Sequence, residues 1–588
     1  MNALERIRAY EPPLAADMLD RHDFFALYPM DGGGHFITRE IIGNDYGDSA
    51  FYRRVVGENA LGEFGTLPEP DFRKFERWRS IEKSCWLSRC YFLPPLAKLA
   101  ARRGDAATAG LVKDTMLHFL RSCRPPATPE AAGELWDRVL RRRDRDYNEN
   151  TFARIQADET DVEYLFHDFQ PASRIIHFLY AMRFLRDSGA IADAEWEELG
   201  NGIRGHARLI FWQERHVNRL APGNHQALRG AALLHAADFW ADAFEAEAWF
   251  REGKRILDYH LVHDFFPDGM LYERSPSYHC FELWHGRDAA TLLSRRGMAL
   301  DREAGERLRR GADAVRGFAQ PDGRAVSVND GYLLPVDGLL ASLSDSAPAA
   351  AENTGYWPDA GFAAYRDGRQ YLFFDASGFT GTYAHYHAGK NAPAWWLDGR
   401  PVLVDPACCN YDSPEFAACK EGASHSSLIL NGQGDGVNAG VYNWTHYPEC
   451  RLTPWQRRGA ARELVSRLVS NAPEWKDAVW TRTVHLDGGE VLLRIEDDLQ
   501  TARAAEAVFC FNFAPGLSLE ITGGKTAVAF DDAGGVELCF ASSRPFALEA
   551  ARGVYYGEHP HQTNHRLLVR MALDGRAALT GEFRQTRL

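Results

Sequence analysis

The sequence predicts an α+β multidomain protein in which a helical N-terminal region is followed by an antiparallel β-sandwich. From about residue 78 to residue 343, apolar residues recur at the spacing of amphipathic helices. After about residue 355 they alternate with polar residues, as they do in strands with one buried face. The chain has 588 residues, which is too many for one hydrophobic core, so at least two domains are expected.

Eight segments of the N-terminal region have helical periodicity, and most are joined by short loops containing Gly, Pro or Asp. They are residues 85–101, 107–122, 172–188, 193–212, 225–244, 246–260, 277–295 and 301–319. Consecutive antiparallel helices indicate a bundle, a solenoid or a toroid. Residues 344–358 are rich in Ala, Ser, Asp, Pro and Gly, and predict a linker between a domain of residues 1–343 and one of residues 359–588.

The C-terminal region carries the signals of strands and hairpins. Asp398-Gly399 predicts the turn of a hairpin within 394–404, and Asp487-Gly488-Gly489 predicts the turn between strands at 481–486 and 490–495. Further strands are predicted at residues 371–375, 507–513, 535–540 and 565–572. Many short alternating segments predict an antiparallel sandwich.

Composition excludes several classes of partner. A net charge of −14 argues against nucleic acid, although a local basic cleft could still bind a polyanion. No run of 18 or more apolar residues predicts a membrane span, and the N-terminus has no apolar run of signal-peptide length. The ten cysteines follow no disulfide framework. We therefore expect a cytoplasmic protein, or a periplasmic or secreted one if a signal has been removed.

Two motifs of the helical region could carry chemistry. Asn224 and His225 stand where a helix is predicted to begin, so Asn224 could be a helix cap and His225 a surface residue, or the two could bind an anionic oxygen. In the turn at 268–277, Ser277 could cap the next helix and place Tyr278 in its first turn. The tyrosines of this motif could be packing residues, or Tyr278 could transfer protons beside Arg274 as a carboxylate clamp.

A third motif combines histidines and a carboxylate in the strand region. His385 and His387 would share a face of a strand, because alternate residues of a strand do so. Asp405 and His425 lie at the ends of strand-like segments. One histidine of the pair could join Asp405 and His425 in a Zn²⁺-type site and leave the other for chemistry. Alternatively, the histidines are hydrogen-bonded structural residues and Asp405 is a turn residue before Pro406.

At these motifs the chain resembles the heparinase II/III-like group of polysaccharide lyases, which includes oligo-alginate lyases and broad-specificity glycosaminoglycan lyases. The Asn-His pair, the Asp-Gly to Ser-Tyr turn, the His-x-His segment, Val-Asp-Pro and Ser-His-Ser-Ser-Leu occur in the order of that family. The match runs from about residue 162 to about residue 435. The resemblance implies an incomplete (α/α) toroid followed by an antiparallel β-sandwich, and cleavage of uronate-containing chains by β-elimination.

The resemblance also implies roles for the catalytic residues. Asn224 and His225 would contact the uronate carboxylate, and Tyr278 would act as both base and acid. His385 would be a second proton-transfer or carboxylate-binding group. The sequence has a single Asn before His225, where many relatives have a doubled Asn or an additional Glu.

By the same resemblance, one divalent ion, zinc or manganese, would be held by His387, Asp405 and His425. We expect this ion to be structural, pinning the segment that bears His385. Three further residues are expected to bind substrate: Arg274, Arg174 and Tyr272.

The expected partner is an anionic polysaccharide or oligosaccharide, with no nucleic acid and no membrane, and a homodimer is left open. We expect a lyase of glycosaminoglycans such as heparan sulfate, hyaluronan or chondroitin. The alternatives are an alginate or other polyuronate lyase, a uronyl C5-epimerase and a non-catalytic glycan-binding protein.

Overall fold

The chain divides into two compact units that interleave along the sequence. The computed structural model describes residues 3–14, 65–73, 86–90, 92–149, 161–331, 333–343, 353–379, 385–408, 415–439, 443–557 and 561–586. Unit 1 comprises Met1–Phe265, Cys280–Arg309 and Asp337–Ser344, and unit 2 comprises Phe266–His279, Arg310–Val336 and Asp345–Leu588. Two segments that precede the predicted linker therefore group with unit 2. Part of that linker, 344–352, lies outside the described residues.

The helices of the described residues are numbered in chain order. They are α1 Ala3–Ala9, α2 Leu93–Arg103, α3 Ala106–Ser122, α4 Pro129–Glu149, α5 Gln170–Leu185, α6 Asp193–Val217, α7 Asn224–Phe239, α8 Ala246–His263, α9 Pro276–Ser294, α10 Arg302–Phe318, α11 Asp337–Ser342 and α12 Glu415–Lys420. Helices α9 and α10 each contribute residues to both units. None of the helices in the described ranges has the length and apolar character that a bilayer crossing requires.

Helices α5 and α7 form the centre of unit 1. Almost every residue of both helices is buried, which is expected of helices that pack on more than one side. Helix α7 packs against α5, α6 and α8. A Cβ atom on Gly230 of α7 would lie 2.2 Å from Leu257 of α8, so only glycine permits this close packing.

The strands are β1 Asn353–Trp357, β2 Phe362–Arg366, β3 Gln370–Asp375, β4 Ala392–Leu397, β5 Arg400–Leu403, β6 Leu428–Leu430, β7 Val437–Asn438, β8 Trp444–His446, β9 Pro448–Leu452, β10 Gln456–Arg458, β11 Ala461–Ser470, β12 Val479–Leu486, β13 Val491–Gln500, β14 Ala505–Asn512, β15 Ser518–Gly523, β16 Thr526–Asp531, β17 Gly534–Ser542, β18 Ala547–Tyr555, β19 Gln562–Leu573 and β20 Arg576–Thr586.

All pairings between these strands are antiparallel. Strands β1 to β5 form one sheet in chain order. A second sheet has the order β10-β11-β12-β13-β20-β17-β16-β15 with β9 paired to β11, and a third has the order β18-β19-β14-β6. Side chains from all three sheets join in one core, which includes Trp395, Trp480 and Phe509. The predicted order of a helical region followed by an antiparallel β-region is confirmed.

Three local predictions differ from the structure. Helix α4 was not predicted, because its many arginines and acidic residues obscure the apolar spacing. The predicted linker contains strand β1, whose Asn, Thr and Gly residues resemble a loop. Residues 385–387 lie in no strand, and 380–384, the start of the predicted strand, lie outside the described residues.

A buried ion pair fixes the loops near the histidine motif. Arg482 of β12 is fully buried and binds Asp497 of β13 with both Nε and Nη2, at 2.7 and 3.0 Å. Its Nη1 donates to the carbonyl oxygens of Asn391 and Ser426, each at 2.9 Å. The sandwich core thereby holds the residues that precede β4 and β6.

Candidate functional site

In unit 1, the motif around Asn224 lies at the start of α7. Asn224 is the first helical residue, and Gly223, with φ of 146°, occupies the cap position that one of the two alternatives gave to Asn224. The backbone N–H of Gly223 donates to Asp264, which also binds His260 at 2.6 Å. Asn224 is half-buried at the N-terminus of the helix, where the helix dipole favours an anionic group.

His225 is oriented by a buried carboxylate. Its Nδ1 lies 2.6 Å from Asp168, and its ring centroid lies 4.1 Å from that of Phe169. Asp168 also pairs with Arg229, which pairs in turn with Glu214. About a third of the His225 side chain, 30%, is exposed, so the imidazole is both fixed and accessible.

Arg174 does not have the environment of a substrate clamp. The residue is fully buried in α5, where its guanidinium donates to the carbonyl oxygens of Ser88 and Leu165 and to His206. These bonds tie α5 to the segments before it and to α6. We do not retain Arg174 as a substrate-binding residue.

The histidine motif of unit 2 converges on a carboxylate that the sequence did not single out. Asp330 is fully buried, with Oδ2 lying 3.0 Å from Nδ1 of His385 and Oδ1 lying 2.7 Å from Nε2 of His387. Lys420 places its Nζ 3.5 Å from Oδ2, and the backbone N–H of Asp330 donates to the carbonyl of His385. Burial alone would raise the pKa of Asp330, but Lys420 and the two imidazoles outweigh it and hold the pKa well below its usual value.

His385 lies between two carboxylates and beneath a phenol. Its Nδ1 faces Asp330, its Nε2 lies 3.3 Å from Glu273, and its ring stacks on that of Tyr278 with centroids 4.0 Å apart. Burial would lower the pKa of His385, but hydrogen bonds to Asp330 and Glu273 outweigh it and raise the pKa to about 9. The structure therefore brings together Tyr278 and His385, which were predicted from two separate motifs, beside two carboxylates that were not predicted.

Tyr278 lies in the first turn of α9, as predicted, but the helix begins one residue before Ser277, at Pro276. Ser275 and Ser277 place their hydroxyl oxygens 3.1 Å apart at this helix start. Tyr278 is half-buried, whereas Tyr272 is only 9% exposed.

The side chain of Arg274 is bonded to the backbone of its own unit. Its guanidinium donates to the carbonyl oxygens of Gly378 and Asp359, and burial lowers its pKa. With φ of 57°, its backbone is in the left-handed region, which is uncommon outside glycine. These contacts fix the turn before α9 and thereby the position of Tyr278.

The residues predicted to bind metal are close to one another but are already paired. His425 places Nδ1 2.8 Å from Oδ2 of Asp405 and Nε2 3.1 Å from the carbonyl oxygen of Cys419. The rings of His387 and His425 have centroids 5.5 Å apart. Asp405 and His425 therefore form a hydrogen-bonded pair.

A different group of side chains has the spacing of a metal site. Among the described residues, His387, Cys408 and Cys419 each offer one donor atom, and these atoms all lie within 4.8 Å of one another. All three residues are buried, and Nδ1 of His387 has no hydrogen-bond partner within the described part of the chain. A buried, unsatisfied nitrogen beside two thiols fits a metal ion, so the chain has a candidate His/Cys/Cys metal site.

A second layer of buried polar residues supports this network. The side chain of Asn329 accepts from the backbone N–H of His387 at 3.2 Å and from Lys390 at 2.6 Å, and it donates to the carbonyl of Arg274 at 2.8 Å. Lys390 also binds Asp375 at 2.8 Å. The adjacent Asn329 and Asp330 are residue types common in exposed turns. Their presence in the sequence therefore does not indicate that their side chains are buried or functional.

Comparison with family models identifies the family that the sequence motifs resemble. The heparinase II/III N-terminus family matches residues 182–352, and the heparinase II/III-like C-terminal family matches residues 350–584. No curated protein matches the sequence significantly.

Two solved structures show the fold. A heparinase III superposes with a TM-score of 0.70 at 14% identity, covering 99% of this chain and 88% of that chain. The heparan sulfate lyase HepC from Pedobacter heparinus superposes with a TM-score of 0.59 at 14% identity, covering 100% of this chain and 88% of that chain. The predicted fold, a toroid of helices followed by an antiparallel β-sandwich, is confirmed by this likeness. The two family matches together span residues 182–584 and show that the chain belongs to the heparinase II/III-like family.

Proposed function

We propose that this chain, by family membership a polysaccharide lyase, cleaves uronate-containing glycosaminoglycans by β-elimination. One observation carries the proposal. The half-buried phenol of Tyr278 stacks on His385, whose imidazole is held between Asp330 and Glu273. The pair supplies a proton-transfer group next to a fixed, positively charged ring.

The reaction requires a group that transfers protons and donors that bind the uronate carboxylate. A uronate C5 proton is weakly acidic while its carboxylate is charged, so donors that neutralise the carboxylate must lower the energy of the enolate. The base then removes the C5 proton, the C4–O bond breaks, and a double bond forms between C4 and C5. The leaving oxygen takes up a proton. The products are a chain with a 4,5-unsaturated uronate end and a chain with a new hydroxyl end.

We assign the two proton transfers to Tyr278. A tyrosine has an unperturbed pKa near ~10, so a phenolate at neutral pH requires positive charge close to it. His385, stacked on the phenol and paired with two carboxylates, is placed to supply that charge. If the proton and the leaving group lie on one face of the sugar, Tyr278 both removes the first proton and donates the second.

The uronate carboxylate needs its own donors. The resemblance assigns this role to Asn224 and His225, and two observations support it. Both residues are in the first turn of α7, and His225 is fixed by Asp168. Tyr272 and Arg274 stay predictions as substrate contacts.

The proposal includes one divalent ion, zinc or manganese, that acts structurally. When bound, the ion would fix the segment that contains His387, and it has no part in the proton transfers. Chelation should therefore reduce thermal stability before it reduces turnover. Immediate loss of turnover in a chelated protein that keeps its fold would contradict a structural role.

The test is a substrate panel followed by ultraviolet absorbance of the conjugated enoate. Heparan sulfate, hyaluronan, chondroitin sulfate and alginate are each incubated with the full chain. We expect absorbance to rise with at least one glycosaminoglycan. A rise with alginate alone would change the substrate class to a polyuronate. Binding or C5 epimerisation without absorbance would replace the proposed lyase with a glycan-binding protein or an epimerase.

Tyr278→Phe tests the assignment of the base. Loss of one acid–base group typically costs between about 10²- and 10⁴-fold in turnover, and we expect a loss in this range. Tyr356→Phe is the matched control, because it removes a hydroxyl from the same unit that donates only to the carbonyl of Leu452. Full activity of Tyr278→Phe would show that another group is the base.

A further inference from the structure

Two arginines on an exposed face of the β-region stand side by side without a carboxylate partner. Arg451 of β9 and Arg467 of β11 are directly opposite each other in the antiparallel register. Both are exposed, and neither guanidinium forms an ion pair or a hydrogen bond in the part of the chain that the structure describes. Directly opposite side chains have Cβ atoms about 4.5–5.5 Å apart, and like charges at this spacing are destabilising. An anion bound between the two guanidiniums would remove that repulsion.

The two arginines project from backbone that the sandwich core holds in place. Leu464 and Leu468 of β11 are fully buried in the core, and Cys450 and Leu452 of β9 pack against it. Alternate residues of a strand project to opposite faces, so these inward side chains fix the strand segments from which the arginines point outward. Backbone that is ordered before binding lowers the entropy cost of holding a ligand.

An exposed aromatic ring continues the same face. Tyr447 directly precedes β9, and the side chains at 447, 449 and 451 are exposed whereas that of Pro448 is buried. The side chain of Tyr447 is 38% exposed, and its ring packs on Phe379 with centroids 4.6 Å apart. Tyr447 and Arg451 are four residues apart, which is about 13 Å along an extended strand.

The acidic side chains near this face do not neutralise the arginines. Glu449 lies between Tyr447 and Arg451 in the chain, but among the described residues it forms no ion pair with either arginine. Asp498, two strands away from Arg467, already accepts two hydrogen bonds from Arg576. The face therefore keeps an excess of positive charge in a chain whose net charge is −14.

We propose that Tyr447, Arg451 and Arg467 form a second binding site for an anionic polysaccharide, in addition to the network around Asp330. A guanidinium binds sulfate or carboxylate oxygens through two parallel N–H bonds, and an aromatic ring offers apolar surface to the face of a sugar ring. The choice of a polysaccharide rests on the proposed function, whereas the affinity for anions does not. A second site retains a long chain between cleavage events, because it raises the effective concentration of the substrate.

The first measurement is the Kd of the full chain for sucrose octasulfate, a sulfated sugar without a uronate, which β-elimination cannot consume. Arg451→Ser/Arg467→Ser should raise this Kd by about 10-fold at low salt, because each exposed ion pair typically contributes about 2- to 5-fold. Arg251→Ser/Arg302→Ser is the matched control, since it removes the same charge from exposed positions on α8 and α10, and it should keep the wild-type Kd. An unchanged Kd in the first variant, or an equal rise in both, would overturn the inference.

Two natural polymers then distinguish the group that is recognised. Heparan sulfate and hyaluronan oligosaccharides are titrated against Tyr278→Phe, with and without the two serine substitutions. A Kd that depends on the arginines for heparan sulfate alone indicates sulfate recognition, and the same dependence for both polymers shows that carboxylates suffice. Dependence for neither polymer would overturn the polysaccharide as ligand. An arginine-dependent Kd for sucrose octasulfate without enoate absorbance in the substrate panel would refute the lyase and leave the anion site standing.

Arg467→Glu separates binding from folding. The substitution places opposite charges across the strands in place of like charges, so the Tm of thermal unfolding should not fall. The Kd for sucrose octasulfate should nevertheless rise by at least about 10-fold, and an unchanged Kd would contradict the proposal. Tyr447→Ala should raise the Kd for heparan sulfate by about 2- to 10-fold without changing its dependence on salt, because the ring carries no charge. A dimer that is lost in Arg451→Ser/Arg467→Ser while the Kd stays unchanged would assign this face to a second copy of the chain and overturn the proposal.

Discussion

The cluster at the start of α7 and the network around Asp330 both pair histidine with a buried carboxylate, but they are assembled differently. In unit 1, His225 and Arg229 lie one helical turn apart and share the carboxylate of Asp168. In unit 2, Asp330 contacts two histidines of one loop and a lysine of α12. The partners of Asp168 lie on one helix, 57 and 61 residues away in the chain, and Arg229 has a second carboxylate partner in Glu214. The partners of Asp330 come from a loop and from a separate helix, 55 to 90 residues away. Removal of each carboxylate should therefore have different consequences.

Asp330→Ala should have the largest effect. The substitution leaves Lys420 and His385 without this partner in a buried site, and breaking a buried pair typically costs about 3–5 kcal/mol in free energy of unfolding. Turnover should also be lost, because His385 loses its orientation beside Tyr278. Denaturant unfolding followed by tryptophan fluorescence measures the first effect, with both proteins chelated so that metal content does not contribute.

Asp168→Ala is the matched variant of unit 1. Arg229 keeps its bond to Glu214 there, so we expect a smaller cost of about 1–3 kcal/mol. Equal costs at Asp168 and Asp330 would contradict the expectation that the remaining Arg229–Glu214 pair lowers the cost at Asp168.

Asn224→Ala should lower turnover while leaving stability almost unchanged. Loss of one preorganised donor to a developing oxyanion costs about 10²- to 10³-fold in rate. Asn201→Ala, on the exposed surface of α6, is the control and should have no effect. A variant of Asn224 with normal turnover and normal KM would remove the α7 cluster from the proposed reaction.

The two clusters also show how far sequence reasoning reached. Asn224, His225, Tyr278 and His385 were predicted because each belongs to a short motif whose order resembles that of the family. Asp330 was missed, because an aspartate before a glycine in a loop usually indicates an exposed turn. Its role arises from burial and from partners that lie between 55 and 90 residues away in the chain.

The metal ligands illustrate the same limit. The pattern of two histidines and an aspartate predicted one ligand set, but the structure pairs Asp405 with His425 and places two thiols near His387. Cys408 and Cys419 have no spacing that marks a zinc motif in the sequence. Only the fold brings them together.

Arg174→Met tests a prediction that the structure did not support. The substitution removes buried hydrogen bonds to the carbonyl oxygens of Ser88 and Leu165, so we expect a loss of about 1–3 kcal/mol in stability. KM for the best substrate of the panel should not change, because the guanidinium has no exposed surface. A large rise in KM with normal stability would restore Arg174 as a substrate clamp.

The smallest effect on stability is expected at the turn between β4 and β5, which the sequence predicted from the Asp-Gly pair alone. Asp398 and Gly399 form the two-residue turn between β4 and β5, with φ of 48° and 78°, as a hairpin turn of type I′ requires. Gly399→Ala meets no atom within 4 Å, so its cost is that of the left-handed backbone alone, about 1–2 kcal/mol. Gly368→Ala, in the neighbouring turn, also meets no atom within 4 Å and has no positive φ, so it should be neutral or slightly stabilising. Thermal unfolding of the two variants measures the difference. Since neither turn contacts the Asp330 network through any hydrogen bond in the described residues, turnover should stay at the wild-type level in both. Loss of turnover in Gly399→Ala would show that the turn between β4 and β5 is coupled to the Asp330 network, although no hydrogen bond among the described residues joins them.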